Sequence, residues 1–227
     1  MCIKTIILHC KLLVDRKQHM ITQVNKYGFS DYTFYEDFDG SELTDDIVSK
    51  YCVRKIDDPV VTAKKILPWG IGLTTQRELT IPEISLSIKF GKSFELFSQI
   101  DSKYFILFED DVILCDKFNM CFYSFLQQTP ADWDVIYFGS GAGLRPNKIV
   151  HNKVAYLMNH PASRCADSIL IKKSAVLDLV KTWFPFHLIS DWELGYQHSL
   201  HNHKVYWWEP SLTVQGSECG LFKSALR

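Results

Sequence analysis

Three acidic residues follow one another at Glu109-Asp110-Asp111, directly after the apolar run Tyr104-Phe105-Ile106-Leu107-Phe108. Burying one of these carboxylates unpaired would cost several kcal/mol, so the triplet must emerge where the apolar run ends. Adjacent like charges repel, and a divalent cation relieves that repulsion; Mg²⁺ and Mn²⁺ favour carboxylate and phosphate oxygens. Such a cation acts as a Lewis acid and stabilises the charge that grows on a departing nucleoside diphosphate. Asp111 is the first expected ligand. The plainer reading is an acidic turn that caps the next helix. His198, His201 and His203 also crowd together, without the i, i+4 spacing of a helical zinc pair and without Cys nearby. They read mainly as surface histidines, with His201 or His203 as a supplementary metal ligand.

Composition limits what surrounds these groups. The 227 residues are 47% hydrophobic and 14% aromatic, enough for one compact unit that buries roughly 70% of its unfolded surface. A single domain over residues 1–227 is expected. With 25 Lys+Arg against 26 Asp+Glu the net charge is -1 and no long run of either sign occurs, which argues against nucleic acid as a partner. Residues 1–14 are interrupted by charges with no small-residue cleavage site after them, and no run approaches the ~20 apolar residues of a bilayer crossing. Neither a signal peptide nor a transmembrane segment is expected. The seven Cys are scattered without a CxxC pair, which suits neither a disulfide framework nor a zinc cage, so a reducing, cytoplasmic setting is expected.

The elements that must position the triplet follow from periodicity and punctuation. Residues 4–9 read as a buried strand. Asp15 with Gln18 offers an N-cap for a helix whose Met20, Val24 and Tyr27 share a face, and Gly28 ends it at C′. Residues 32–38 supply a second strand closed by Asp39-Gly40, which predicts a parallel pair with a right-handed crossover. Thr80 and Glu83 form a capping box around Pro82 and open a helix that runs towards Ile100. Residues 104–108, apolar at every position, fit a central strand covered on both faces. Further strands are expected at 135–138, 154–158, 168–171 and 205–208, helices near 118–127 and 175–182, and long loops at 67–75 and 139–146. This alternation indicates an α/β layered fold, with the triplet in the crevice beyond the strands' carboxyl ends.

Phe108-Glu109-Asp110-Asp111-Val112 resembles the LEDDV motif of glycosyltransferase family 25, the group containing lipooligosaccharide and collagen galactosyltransferases. The likeness extends over nearly the whole chain. Asp15-Arg16 follows the first strand, Phe38-Asp39-Gly40 is similar to the family's DG, and Glu83-Ile84-Ser85 to its GEI helix start. Asp132-Trp133-Asp134-Val135-Ile136-Tyr137-Phe138-Gly139 resembles its DWDIIxLG strand, and Asp191-Trp192-Glu193-Leu194 and Pro210 through Ser217 its last blocks. Lys89-Phe90 departs from the pattern, standing where the family carries a Ser-His pair. The resemblance implies a GT-A (Rossmann-like) fold with a central, mostly parallel sheet. It also implies a nucleotide-sugar donor such as UDP-galactose, Mn²⁺ (or Mg²⁺), and inverting transfer to a hydroxyl of a glycan or a hydroxylated side chain.

Under that resemblance Glu109 and Asp111 hold the cation, and Asp110 lies near the ribose or donor sugar. Asp191 is the expected general base for the acceptor hydroxyl, with Glu193 as fallback and Trp192 placed to stack on a sugar face. N-capping by Ser190 or Asp191 is the alternative. Arg16 is expected at the donor's diphosphate or base, with a solvated arginine as the alternative. Glu83 is a donor-binding candidate whose capping role explains it equally well. Arg164 and Asp167 are expected at the donor sugar, against a loop ion pair, and Gln215 and Ser217 over the diphosphate. Trp207 and Trp208 point to opposite faces of a strand, so at most one lines a cavity. Two rival functions stand beside this: a catalytically silent relative that binds a glycan or partner, and a metal-dependent phosphohydrolase.

Overall fold

The computed structural model describes residues 3–53 and 78–225, so the loop expected at 67–75 lies outside the described residues. β1 (Lys4–Leu8) leads through α1 (Val14–Lys26) to β2 (Tyr32–Tyr35), and β1 pairs with β2 in parallel as expected. α2 (Asp45–Tyr51) and α3 (Ile81–Gln99) precede β3 (Tyr104–Glu109), which ends on the first acid of the triplet. β4 (Val112–Leu114), α4 (Phe118–Gln128), β5 (Val135–Tyr137), β6 (Ala155–Leu157) and β7 (Ser168–Lys172) follow. α5 (Lys173–Thr182), α6 (Ser190–Leu200), β8 (Val205–Trp208) and β9 (Thr213–Gln215) complete the order.

Seven strands form the central sheet in the order β2-β1-β3-β7-β5-β8-β6, while β4 and β9 make a separate antiparallel pair. β1, β2, β3, β5 and β8 run one way; β7 and β6 oppose them. The result is the expected α/β architecture, a mostly parallel sheet with helices on both faces. Alternate residues of β3 show why its sequence is apolar throughout. Phe105 and Leu107 pack with α2, α3, α5 and α6 on one face, and Ile106 and Phe108 with α1 and α4 on the other. Trp207 and Trp208 divide in the same way between the two cores, so both pack and neither lines the cavity.

Several boundaries differ from expectation. α1 is preceded by Leu13 at its N-cap, with no side-chain cap bond, and Asp15 lies inside the first turn, where its charge still suits the positive end of the helix dipole. β2 stops at Tyr35 and β6 is shorter than 154–158. α6 is capped by Ile189, so neither Ser190 nor Asp191 serves as its N-cap. Gly28 does sit just beyond α1 at φ +64°, and the Phe29 amide closes back on the Val24 carbonyl at 2.9 Å.

β1 feeds α1 and β2 on one side, while β3 lies on its other side. The order therefore reverses at the carboxyl ends of β1 and β3, where open α/β sheets leave a ligand crevice.

Candidate functional site

A cavity of ≈ 780 Å³ opens at this reversal. β3 runs into its wall, so the strand whose apolar residues must stay covered delivers Glu109, Asp110 and Asp111 there. Arg16 comes from the first turns of α1 and Asp191 from the start of α6; Glu83 and Lys89 come from α3, and Gln215 and Ser217 from β9 and the turn after it. Of the residues expected at the site, Arg16, Glu83, the triplet, Asp191, Gln215 and Ser217 are thus brought to one cavity. Arg164 and Asp167 are not in its lining.

The triplet is bound into a network of long-range partners. Asp110 accepts from His9 Nδ1 at 2.8 Å, from the Cys10 amide at 3.4 Å and from Arg16 Nη1 at 2.8 Å. Both its oxygens are engaged by the protein, so its position supports a role in fixing Arg16 and His9, not the expected contact to ribose. Arg16 is a buried residue and not a solvated first-turn arginine. Its guanidinium also lies 3.8 Å from Asp111, donates to the Lys223 carbonyl at 2.5 Å, and covers the Phe222 ring at 5.4 Å. Asp111 Oδ2 accepts from the Ser217 amide at 3.1 Å, and Glu109 accepts from Gln215 Nε2 at 3.1 Å.

Negative charge dominates this corner. Burial, then the charges of Asp111, Asp191, Asp167 and Asp110, holds the Glu109 carboxyl well above the usual carboxylate range. Burial also raises Asp191, although the Ala166 amide donates to its Oδ1 at 2.7 Å and opposes the shift. Asp167 is pushed up to about 8, again chiefly by burial. Asp111 Oδ1 is buried without a hydrogen-bond partner. Among the described residues no group of three His, Cys, Asp or Glu side chains could hold a metal by itself. The donor set fits a cation of the Mg²⁺ or Mn²⁺ kind, which takes one or two carboxylates and completes its shell with water and ligand phosphate.

The remaining candidates have structural surroundings. Glu83 closes the capping box, accepting from the Thr80 amide at 2.8 Å and the Thr80 hydroxyl at 3.0 Å. Arg164 is fully buried, ion-paired with Glu209 and donating to the Trp208 carbonyl at 3.0 Å, so its ion pair is internal and its placement gives no support to donor binding. Asp167 accepts from the Ser168 and Thr213 hydroxyls at 3.1 and 3.4 Å. Glu193 accepts from the His187 and Leu188 amides and does not line the cavity.

Two of the three histidines are not at the surface as expected. His198 and His203 are buried, with their Nδ1 atoms 3.2 Å apart, and His198 Nε2 meets the Tyr137 hydroxyl at 2.9 Å. His201 Nε2 meets the Thr182 hydroxyl at 2.7 Å. None of them lines the cavity, so a supplementary role at the cation has no support in their placement.

Sequence reasoning missed His9, Asp39 and Lys89 as cavity residues. Lys89 carried a usable signal: it lies four residues after Ser85 and one after Ile88, on a stretch of α3 whose neighbours are buried.

No protein-family model matches the sequence, and no curated protein matches it. Among solved structures the chain is similar to the inositol-1-phosphate CTP transferase from T. maritima, at 10% identity over 94% of this chain and 89% of that one, with TM-score 0.45. It is also similar to a glycosyltransferase involved in the glycosylation of the major capsid of PBCV-1, at 11% identity over 95% and 92%, with TM-score 0.42. A third is mouse xyloside xylosyltransferase 1, at 9% identity over 90% and 84%, with TM-score 0.37. At these scores the likenesses carry no weight in assigning fold family or activity. No helix among the described residues is long and apolar enough to cross a membrane.

Proposed function

We propose that this chain is a metal-dependent, inverting glycosyltransferase of GT-A type that moves a sugar from a nucleoside diphosphate donor to a hydroxyl of a glycan or other acceptor. One observation carries the reading. At the carboxyl ends of β1 and β3, Asp111 keeps a buried, unpartnered oxygen in a cavity that Glu109, Asp191 and Arg16 also line. UDP-galactose as donor and Mn²⁺ as cation come from the resemblance in the sequence motifs.

Glu109 and Asp111 would hold the cation, which when bound neutralises the diphosphate as the sugar bond breaks. Arg16, locked by Asp110 and by the Phe222 ring, presents a preorganised guanidinium to an anion at the same corner. Asp191 is aimed by the Ala166 amide, and its raised pKa strengthens it as a base. It takes the proton of the acceptor hydroxyl as that oxygen attacks the anomeric carbon.

The test is a panel of nucleotide sugars, with and without Mn²⁺, read by binding heat and by released nucleoside diphosphate. One donor is expected to bind and turn over only with the cation. Asp111→Ala should abolish both responses, whereas Asp191→Asn should keep donor binding and lose about 10²–10⁴-fold in turnover. Binding of no donor would sink the transferase reading, and rapid hydrolysis of simple phosphate esters would replace it with a phosphohydrolase.

A further inference from the structure

An ion pair in the wall of the same cavity is not used by the chemistry above. Asp39 follows β2 and is 2% exposed; Lys89 lies on α3 and is 3% exposed. Lys89 Nζ donates to Asp39 Oδ1 and to the His9 carbonyl, the Lys11 amide donates to Asp39 Oδ2 at 2.8 Å, and the Glu42 amide donates to the Asp39 side chain, which caps the 3-10 turn Gly40–Glu42. An ammonium has three N–H donors and a carboxylate about four acceptor positions. The pair therefore keeps a donor and acceptor capacity beyond these contacts, and both side chains line the cavity. Capping accounts for an acid at Asp39, but a buried ion pair adds little stability over an apolar pair of the same volume, so stapling α3 to the end of β1 does not by itself call for Lys89.

Placement indicates what the pair reads. In dinucleotide-binding α/β sheets an acid near the end of the second strand of the first βαβ unit takes a ribose hydroxyl, while the phosphates sit where that unit's helix begins. Asp39 lies four residues beyond β2 in the cavity wall, and Arg16 lies in the first turn of α1. Asp110, the residue expected at the ribose, is fully engaged by His9, the Cys10 amide and Arg16.

We propose that Asp39 and Lys89 form the ribose subsite of the donor's nucleoside, with a ribose hydroxyl donating to Asp39 and accepting from Lys89. A hydroxyl does both at once, so a carboxylate and an ammonium side by side recognise it in both directions. The pair then selects ribonucleoside over 2′-deoxyribonucleoside donors. This inference rests on the nucleotide-sugar reading of the site.

The test is calorimetry of the wild-type protein with Mn²⁺ and the adenosine, guanosine, cytidine and uridine diphosphates, each beside its 2′-deoxy and 3′-deoxy counterparts. For whichever base binds, loss of at least one ribose hydroxyl should weaken affinity by about tenfold or more, because the site's polar groups are left unpaired. In Asp39→Asn, which keeps the shape, that ratio should collapse towards one. A purely structural pair predicts equal binding of ribo and deoxy forms by the wild type, and that result overturns the subsite even if the variants do not fold. Binding of no diphosphate at all would instead overturn the nucleotide-sugar reading, and the subsite with it.

Discussion

Asp111 combines two opposing demands. Its Oδ2 is held by the Ser217 amide, while Oδ1 is buried without a hydrogen-bond partner beside Glu109, whose carboxyl its charge helps to push up. Asp111→Asn should therefore raise the unfolding midpoint of the metal-free protein and remove its response to Mn²⁺. Bound cation stabilises the native state by mass action, so the wild-type midpoint should climb with Mn²⁺ while that of the variant stays flat. Equal shifts in both proteins would place the cation elsewhere. Gly139 tests the packing behind this corner. A Cβ there would come within 2.0 Å of an Asp167 carboxylate oxygen, a contact that forces the side chain or the end of β5 to move. Gly139→Ala should cost about 1–3 kcal/mol in chemical denaturation; an unchanged midpoint would mean that Asp167 has room to turn.

Among the elements, α3 contributes most to the cavity and shows its ends most clearly in sequence. Thr80, Pro82 and Glu83 fix its start by a local device, and the structure reproduces that start. Thr80→Ala should cost about 1 kcal/mol, read as a fall in denaturation midpoint, and a neutral result would show that Glu83 holds the turn through the Thr80 amide alone. α1 shows the opposite case. Asp15 and Gln18 satisfy a capping pattern, yet the helix begins two residues after Leu12 under the non-capping Leu13. Its first turn is held instead by the cavity network through Arg16, which sequence spacing does not reveal. The β4–β9 pair went unpredicted for a similar reason. Its strands are three residues each and lie about a hundred positions apart, too short for periodicity and too distant for a turn signal.

Across the whole molecule, pH tests the buried histidine pair. His198 faces His203, His160 and His201, beside the Tyr137 hydroxyl, and burial first, then those histidines, hold it well below its usual range; Asp178 lies 3.7 Å from His203 Nε2. Two Nδ1 atoms at 3.2 Å can share one proton but not carry two. The folded state thus refuses a proton that the unfolded chain accepts below about pH 6.5, so stability is present above that value and falls as pH drops through it. The raised carboxyls of Glu109, Asp167 and Asp191 act in the opposite direction, in the wild type and in His198→Gln alike. The wild-type thermal midpoint should therefore fall relative to that of His198→Gln between pH 7.5 and 5. A difference between the two proteins that stays level over this interval would mean that the pair accepts protons in the native state.

The sequence by itself determined the layered α/β class, the central strand at 104–108, the start of α3 and the emergence of three acids at a strand end. Each of these follows from neighbours in the chain: an unbroken apolar run demands cover on both faces, and three carboxylates cannot follow it inward. Only the tertiary structure decided which charges meet. His9 reaches Asp110 across 101 positions, Lys89 reaches Asp39 across 50, and Arg16 reaches the Lys223 carbonyl across 207. The same is true of Arg164, which turns inward to Glu209, and of His198 and His201, which hydrogen-bond to side chains of β5 and α5. Periodicity reports the face on which a side chain lies. The partner that satisfies a buried charge comes from another part of the chain, and its approach is fixed only when the sheet order is.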